Sequence, residues 1–501
     1  MVHETCDCQQ YRSHCNARSH TTHCLFLDGS TGPRKTTPSS YMIIPRHTSA
    51  CFCQTSTLSR LLILQSCSQI QECRSIELPL AGEIQIAIRS TGICGSDVSY
   101  FKKFANGDLC ACQPLSLGHE SSGVVVAIGP QVTGFTIGDR VALEVGVPCG
   151  QCGICRKGRY NLCKKMRFRS SAKSFPHFQG TLQERINHPA VWCHKLPSHI
   201  SFDAAALLEP LSVAIHALNR AKPEPGATAL VMGAGTVGLL TAAMAQESGC
   251  SAVTICDVDQ GRVDYALEHG FATHGYVVPR PLHPSSSSSS VVSGISTPGA
   301  DGAMTPASSI LSTLDSRLEG ARTLAHDILA VSSSSCSPSV EDVSVHDDEH
   351  SPNIDTNNVQ DGEEDDEGVD IAFECTGKEV CMHTALYATK PGGKVIMVGM
   401  GTPIQTLPMS VPHLREVDIL GIFRYANTYA TGIRLLSASK RLKQALKGPS
   451  GKTLVKRGLP SLDNMVTHRF KGLHRSREAF ELASRTVDDE GRLVLKVVIE
   501  A

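Results

Sequence analysis

The sequence predicts an α/β protein in two parts, a β-rich, barrel-like domain followed by a doubly wound parallel sheet. Residues 227–257 run strand, glycine turn, helix, strand, the order a dinucleotide site requires. Ahead of them, 83–88, 122–128 and 139–143 are short strands bounded by glycine, a pattern suited to a barrel-like domain. Beyond an interruption, apolar runs at 369–377, 393–399 and 419–423 alternate with helical stretches, so one parallel sheet resumes.

A chain of 501 residues has room for two or three domains with sizeable cores. Lys and Arg number 47 against 48 Asp and Glu, so nothing points to nucleic acid or an anionic membrane surface as partner. There is no apolar run of the roughly 18 residues that a bilayer span needs. The opening MVHETCDCQQ lacks the basic and apolar regions of a secretory signal. Residues 9–50 are faintly transit-like, and the expected compartment is the cytoplasm. Without a signal, 21 cysteines suggest metal ligands and free thiols rather than a disulfide framework.

In order along the chain, residues 1–72 carry scattered Cys, Ser, Thr, His and Arg without sustained periodicity, and read as irregular or disordered apart from a short patch at 58–64. The pairs Cys6/Cys8 and Cys51/Cys53 lack matched partners and read as incidental. Strand 83–88 alternates with period two, and 203–220 reads as one helix kinked at Pro210. A first domain therefore spans 73–222, and the dinucleotide domain spans 223–424. The latter is interrupted at 281–367, where six serines (285–290), a second serine cluster (332–335) and acidic runs mark low complexity. Only 310–331 has helical character there. Loop-closure entropy grows only logarithmically with length, so this insertion is tolerable and expected to be dispensable.

At the glycine turn, Gly233 and Gly235 permit a tight turn and close backbone approach to a pyrophosphate, and Gly238 lets helix and strand pack closely. The helix N-terminus offers free N–H groups and a positive dipole end. Asp257, 22 positions past Gly235, is placed to accept from an adenosine ribose and to repel a 2′-phosphate, which favours NAD.

Two clusters suit metal. Cys149, Cys152, Cys155 and Cys163 lie on one glycine-rich lobe and match a closed, tetrahedral structural zinc site. The lobe's basic residues leave a zinc-ribbon reading open. Cys94, in GICGSD, with His119 and Glu120 forms a second set, whose three donors leave a position for substrate. Glu209 stands inside an apolar helical stretch, where a carboxylate needs a metal or a cation partner.

Together GICGSD, GHE, the four-cysteine lobe, LLEPLSVAIHA, GAGTVG and FRYANTY resemble the zinc-dependent medium-chain dehydrogenases. The likeness is to their polyol branch of sorbitol, xylitol and L-arabinitol dehydrogenases, and NHPAVWCHKLP adds a fungal character. It covers 74–280 and 369–501. The resemblance implies a GroES-like catalytic domain completed by 425–501, a Rossmann domain, and commonly a homotetramer. It places the catalytic zinc on Cys94, His119 and Glu120, with Glu209 holding water at the open position or ligating in its place. Ser96 would bond the alkoxide and start a proton relay, and Tyr100, Arg424 and Tyr425 would contact the polyol. Val237, Arg262, Val398, Gly399, Met400, Ile422, Phe423 and Arg424 fall on cofactor contacts.

The implied reaction oxidises a polyol to a ketose with hydride transfer to NAD. Lowering an alcohol's pKa as zinc lowers that of water would be worth on the order of 12 kcal/mol. Threonine, butanediol or simple alcohol dehydrogenases are the alternatives within enzymes, and an inactive binding relative is the alternative outside them. Two departures stand out. Ser99 occupies the position where polyol relatives often carry a relay histidine. Residues 1–72 show no counterpart of the strand pair that precedes strand 83–88 in the family, which leaves that strand an unpaired edge. We therefore expect 1–72 not to be a functional module, its presence reflecting a misassigned start or a retained intron.

Overall fold

The computed structural model describes residues 57–65, 68–279, 307–333, 368–445 and 458–501. All lie in the second of two compact units, Gln54–Ala501. The pairs Cys6/Cys8 and Cys51/Cys53 fall outside the described residues.

Strands β1 (Thr57–Gln65) and β2 (Ser68–Ile76) form an antiparallel hairpin. This corrects the expectation of an irregular 1–72 over its last stretch, and supplies a strand pair where none was expected. The alternation test misses both strands. The apolar residues of β1 are consecutive, while β2 is mostly polar, so the pairing rests on a partner rather than on a local pattern.

Strand β3 (Glu83–Gly92) is flanked on both sides, which overturns its expected open edge. It pairs along one side with β5 (Glu120–Ile128). Its other side pairs at residues 83–87 with β7 (Arg185–Pro189), and at 91–92 with the C-terminal strand. Between these run α1 (Gly95–Lys103), β4 (Leu115–Ser116), which adds to β1, and β6 (Arg140–Leu143). Strand β8 (Cys193–Lys195) pairs with β6. Ile84, Ile86, Ile88, Val125, Val141 and Leu143 fill the core of this sheet.

The helix expected over 203–220 is two helices, α2 (Phe202–Ala206) and α3 (Leu208–Ala221), which meet at Leu207. Pro210 lies in the first turn of α3, where its missing N–H is no loss. Its ring would clash with the carbonyl four residues back, so the chain breaks ahead of Pro210 rather than bending through it.

The parallel sheet follows. Its elements are β9 (Thr228–Met232), α4 (Thr236–Glu247), β10 (Ala252–Asp257), α5 (Gln260–Glu268), β11 (His274–Val277), α6 (Ala307–Ser333), β12 (Val369–Glu374), α7 (Glu379–Ala388), β13 (Thr389–Met397) and β14 (Asp418–Gly421). The strands align β11-β10-β9-β12-β13-β14, all parallel. The order reverses between β9 and β12, the switch point where such sheets bind ligands.

Helix α6 comes from the low-complexity insertion, yet it is a working part of the sheet. The chain must cross from β11 to β12 over two strands, and a parallel crossover normally runs through a helix. Leu314, Leu318, Ala321, Ala325 and Ile328 recur at spacings of three and four, the stripe a packed helix needs. Ala325 and Ile328, 3% and 0% exposed, pack with Leu230, Met232 and Cys256. Thr254 and Ser332 share a hydroxyl hydrogen bond of 2.7 Å, and Arg322 lies over the Tyr387 ring. This packing speaks against the expectation that 281–367 is dispensable as a whole.

After α8 (Tyr429–Ala445) the chain returns to the first sheet with β15 (Val466–Lys471) and β16 (Lys496–Glu500). That sheet then reads β8-β6-β5-β3-β16-β15, with β7 also on β3. No helix among the described residues is long and apolar enough to cross a membrane.

Candidate active site

Cys94 caps the N-terminus of α1, immediately after β3; His119 directly precedes β5 and Glu120 opens it. The pairing of β3 with β5 sets Gly92 opposite Glu120. A Cβ on Gly92 would lie 2.2 Å from Glu120 Oε2, so the glycine makes room for the carboxylate. Gly118 has φ +90°, and a Cβ there would meet Leu182 and Thr91 at 2.9 Å. These two glycines explain why the motifs read GICGSD and GHE.

Sγ of Cys94, a ring nitrogen of His119 and a carboxylate oxygen of Glu120 all lie within 4.8 Å of one another. Asp97, 1% exposed, orients the set. Its Oδ1 meets His119 Nδ1 at 3.2 Å and accepts from Gly118 N at 3.2 Å and Ser170 Oγ at 2.6 Å, while Oδ2 accepts from Cys94 N at 3.2 Å. Burial raises the Asp97 carboxyl, but His119 and these donors outweigh it, and the group lies below the ordinary carboxylate value. A carboxylate behind a ligand histidine fixes its ring orientation and tautomer. Thiolate, imidazole and carboxylate with one open side fit a catalytic zinc.

Lys496 on β16 donates to both Glu120 oxygens, at 2.9 and 2.7 Å, and to Ile93 O at 3.0 Å. A carboxylate has about four lone-pair sites, so Glu120 can accept from lysine and still face a metal. Asp97, Ser170 and Lys496 are absent from the sequence-based site. Asp97 could have been found as the last residue of GICGSD, and Lys496 as the lone charge inside the apolar run LVLKVVI.

Glu209 is 6% exposed in the first turn of α3, and no cation among the described residues lies within ion-pair distance of it. Burial pushes its carboxyl up to about 7, with Glu120 adding to the rise and His119, Lys496 and Arg424 opposing it. The salt-bridge explanation for this residue therefore has no support. Tyr100 is buried, its hydroxyl accepting from Ala172 N at 3.2 Å. Arg424 stacks over Phe168 at 3.6 Å and Phe423 at 4.7 Å. Its Nη1, the Tyr425 hydroxyl and Thr428 Oγ1 are buried without hydrogen-bond partners. Unpaired polar atoms of this kind are costly, and Arg424 and Tyr425, both within reach of the Glu209 charge, suit a ligand rich in hydroxyls. Ser96 sits half-buried in the first turn of α1. Ser99 Oγ donates to Ala105 O at 2.8 Å, so its hydroxyl is engaged in tying down a loop.

At the glycine turn, Gly233 has φ +100° and Gly235 caps α4. A Cβ on Gly238 would sit 1.7 Å from Gly233 O, so only glycine lets the helix pack on the turn. Val237 lies in the first turn of α4. Asp257 Oδ2 accepts from Ala234 N at 2.7 Å and Oδ1 from Asp259 N at 3.0 Å, which fixes the carboxylate beside the turn. Arg262 reaches to 3.9 Å from where a Gly235 Cβ would be, with its Nε buried and unpaired. Across the switch point, Val398, Gly399 and Met400 follow β13, and Ile422 and Phe423 follow β14. A Cβ on Gly399 would lie 2.2 Å from Gly377 N. Gly377 belongs to a turn that sequence reading passed over, in which Glu374 accepts from Thr376 N at 2.7 Å and Gly377 N at 2.9 Å.

The second cluster gathers Cys149, Cys152, Cys155 and Cys163 with sulfurs within 4.8 Å. Three separations are 3.9 Å (Cys149–Cys155), 3.5 Å (Cys152–Cys155) and 3.5 Å (Cys149–Cys163). Tetrahedral zinc with bonds near 2.3 Å requires sulfurs about 3.8 Å apart, so the cluster fits that ion. Backbone N–H groups of Gln151 and Cys152 pull the Cys149 thiol down to about 6, towards the thiolate a metal binds.

A parallel sheet with a glycine turn at its switch point, beside a β-rich domain bearing two metal-donor clusters, defines an oxidoreductase that uses metal and dinucleotide. Residues 80–198 match the alcohol dehydrogenase GroES-like domain and residues 349–438 the zinc-binding dehydrogenase domain. The chain is 32% identical over 411 residues to sorbitol dehydrogenase of Arabidopsis thaliana, covering 81% of this chain and 87% of that one. It is 32% identical over 430 residues to L-arabinitol 4-dehydrogenase of Aspergillus oryzae, covering 86% and 90%. A solved oxidoreductase/dehydrogenase of unknown specificity from Escherichia coli is 26% identical with a TM-score of 0.62, covering 89% of this chain and 99% of its own. L-idonate 5-dehydrogenase from Escherichia coli, 20% identical with a TM-score of 0.63 over the same shares, has the same fold. The chain belongs to the zinc-dependent medium-chain dehydrogenases, in their polyol branch.

Proposed function

We propose that this chain oxidises a secondary hydroxyl of a sugar alcohol to a ketone, with NAD as the acceptor. The observation that carries the reading is the pair of unpaired buried polar atoms Arg424 Nη1 and Tyr425 Oη, whose side chains both feel the charge of Glu209. A short apolar alcohol would leave them unpaired, whereas a chain of hydroxyls offers each a partner.

Cys94, His119 and Glu120 would hold the catalytic zinc, and Cys149, Cys152, Cys155 and Cys163 a structural one. When bound, zinc supplies Lewis acidity to the reacting hydroxyl, and the nicotinamide accepts the hydride. Asp97 keeps the His119 ring in place, and Lys496 holds the Glu120 carboxylate. Ser96 hydrogen-bonds the reacting oxygen and starts the proton relay, passing its own proton on as it accepts that of the substrate. Ser99, bonded to Ala105 O, lacks the imidazole that would carry the proton further at that position. Glu209, pushed up to about 7, holds water or the substrate hydroxyl at the open side of the donor set. Tyr100, Arg424 and Tyr425 orient the remaining hydroxyls. Gly233, Gly235, Val237, Gly238, Asp257, Arg262, Val398, Gly399, Met400, Ile422, Phe423 and Arg424 form the NAD cleft. The reading includes a catalytic domain of 73–222 completed by 425–501, a cofactor domain of 223–424, a homotetramer and a cytoplasmic location.

Product analysis tests this. Incubation of the zinc-loaded enzyme with NAD and sorbitol, xylitol, L-arabinitol or galactitol should give a ketose from at least one. An aldose product, or turnover restricted to threonine or butane-2,3-diol, would refute it.

A further inference from the structure

Three hydrogen bonds join the four-cysteine lobe to the segment that carries Arg424 and Tyr425. Asn161 Nδ2 donates to Phe423 O at 2.8 Å, Asn427 N donates to Tyr160 Oη at 2.7 Å, and Asn427 Nδ2 donates to Gly158 O at 2.8 Å. They bridge separations of 262 to 269 residues and bracket Arg424, Tyr425 and Ala426 on both sides.

The bracketed turn is one that the chain would not hold unaided. Arg424 and Asn427 have φ of 51° and 61°, the left-handed region that side-chain-bearing residues keep only where surroundings impose it. The lobe end of the bracket is firmly built. Asn161 is 4% exposed and stands two residues before Cys163. Tyr160 donates its hydroxyl proton to Glu144 Oε1 at 2.5 Å, leaving a lone pair for Asn427 N. Glu144 is itself 2% exposed and bonded to His194 Nε2 at 2.9 Å. The Tyr160 ring lies against Trp192, the chain's single tryptophan, with centroids 4.9 Å apart.

We propose that the four-cysteine lobe positions the substrate: Tyr160 and Asn161 set the left-handed turn at 424–427 and so aim Arg424 and Tyr425 at the polyol. This rests on the reading of Arg424 and Tyr425 as polyol contacts. Tyr160 and Asn161 touch neither substrate nor cofactor and act through the turn. A lobe that merely stabilised the fold would affect every substrate alike. A lobe that aims the turn affects only substrates long enough to reach it.

The test uses Asn161→Asp, which keeps the shape but turns the donor facing Phe423 O into an acceptor, and Tyr160→Phe, which removes the hydroxyl between Glu144 and Asn427. Both are assayed as zinc-loaded, full-length enzyme with xylitol and with butan-2-ol, alongside zinc content and melting temperature. Loss of a hydrogen bond to a substrate-orienting group corresponds to roughly tenfold in KM. The expected result, at saturating NAD, is a KM for xylitol about tenfold higher, with kcat/KM for butan-2-ol within about twofold of wild type. In an Arg424→Ala background, Asn161→Asp should add nothing further. Equal losses on both substrates, no loss on either, or full additivity with Arg424→Ala would overturn the proposal. Arg424→Ala alone separates the two readings. If it spares the KM for xylitol, the polyol reading itself falls. If it raises that KM while Asn161→Asp and Tyr160→Phe do not, only the positioning role falls.

Discussion

Lys496 grips both oxygens of Glu120 at 2.9 and 2.7 Å, with the two side chains 3% and 1% exposed. Removing one member of a buried pair leaves the other charged and unpaired, a loss of about 3–5 kcal/mol. Lys496→Met should therefore lower unfolding free energy by up to about that amount in urea titrations, and by less in the zinc-loaded enzyme, where a metal on Cys94, His119 and Glu120 would still face the carboxylate. A variant as stable as wild type would show that Glu120 finds its compensation elsewhere.

Helix α6 separates the two fates of the 281–367 insertion. Ile328→Ala removes a side chain that is 0% exposed on the sheet, and should cost about 2–5 kcal/mol. Replacing 281–306 and 334–367 by short Gly/Ser linkers, with the helix kept, should leave activity near wild type. Deleting 283–366 entirely should give an insoluble or inactive chain, because the crossover and the cover over Leu230 and Met232 go with it. Full activity in that deletion would contradict the role given to α6.

Much of this fold and site was legible because it is written in local chemistry. Gly92, Gly118 and Gly238 sit where a Cβ would strike Glu120 Oε2, Leu182 and Gly233 O, so glycine-bearing motifs report geometry directly. The four-cysteine lobe is similarly local. What escaped depends on distant partners. β2 is too polar to look like a strand until β1 pairs with it, and Lys496 acquires its meaning only across 376 residues from Glu120. Helix α6 was legible as the helical stretch 310–331, but its serine-rich and acidic flanks hid its packing against the sheet through Ala325 and Ile328.

Asp257, held by Ala234 N and Asp259 N, presents a fixed carboxylate beside the glycine turn, which in the proposed NAD cleft would repel a 2′-phosphate. NAD should therefore be preferred over NADP, with Arg262 softening the exclusion. Asp257→Ala should reduce the ratio of kcat/KM values for the two cofactors by about tenfold or more, a fall that corresponds to about 1.4 kcal/mol of discrimination. Equal use of NADP by the wild-type enzyme would refute the assignment.

The two metal-donor clusters should separate by function. Cys94→Ala should abolish turnover in a protein that still folds, with one zinc lost per chain by elemental analysis. Cys152→Ser should instead lower the melting temperature, because a closed four-thiolate site contributes to folding. An active Cys94→Ala enzyme, or a wild-type chain holding a single zinc, would contradict the division.

The central claim is that Arg424 and Tyr425, near Glu209, serve a chain of hydroxyls, and steady-state oxidation of xylitol and butan-2-ol by the zinc-loaded enzyme with NAD tests it most directly. Additional hydrogen bonds to the Arg424 guanidinium and the Tyr425 hydroxyl should favour xylitol in kcat/KM by about a hundredfold or more. Equal kcat/KM for the two alcohols, or a preference for butan-2-ol, would contradict the account.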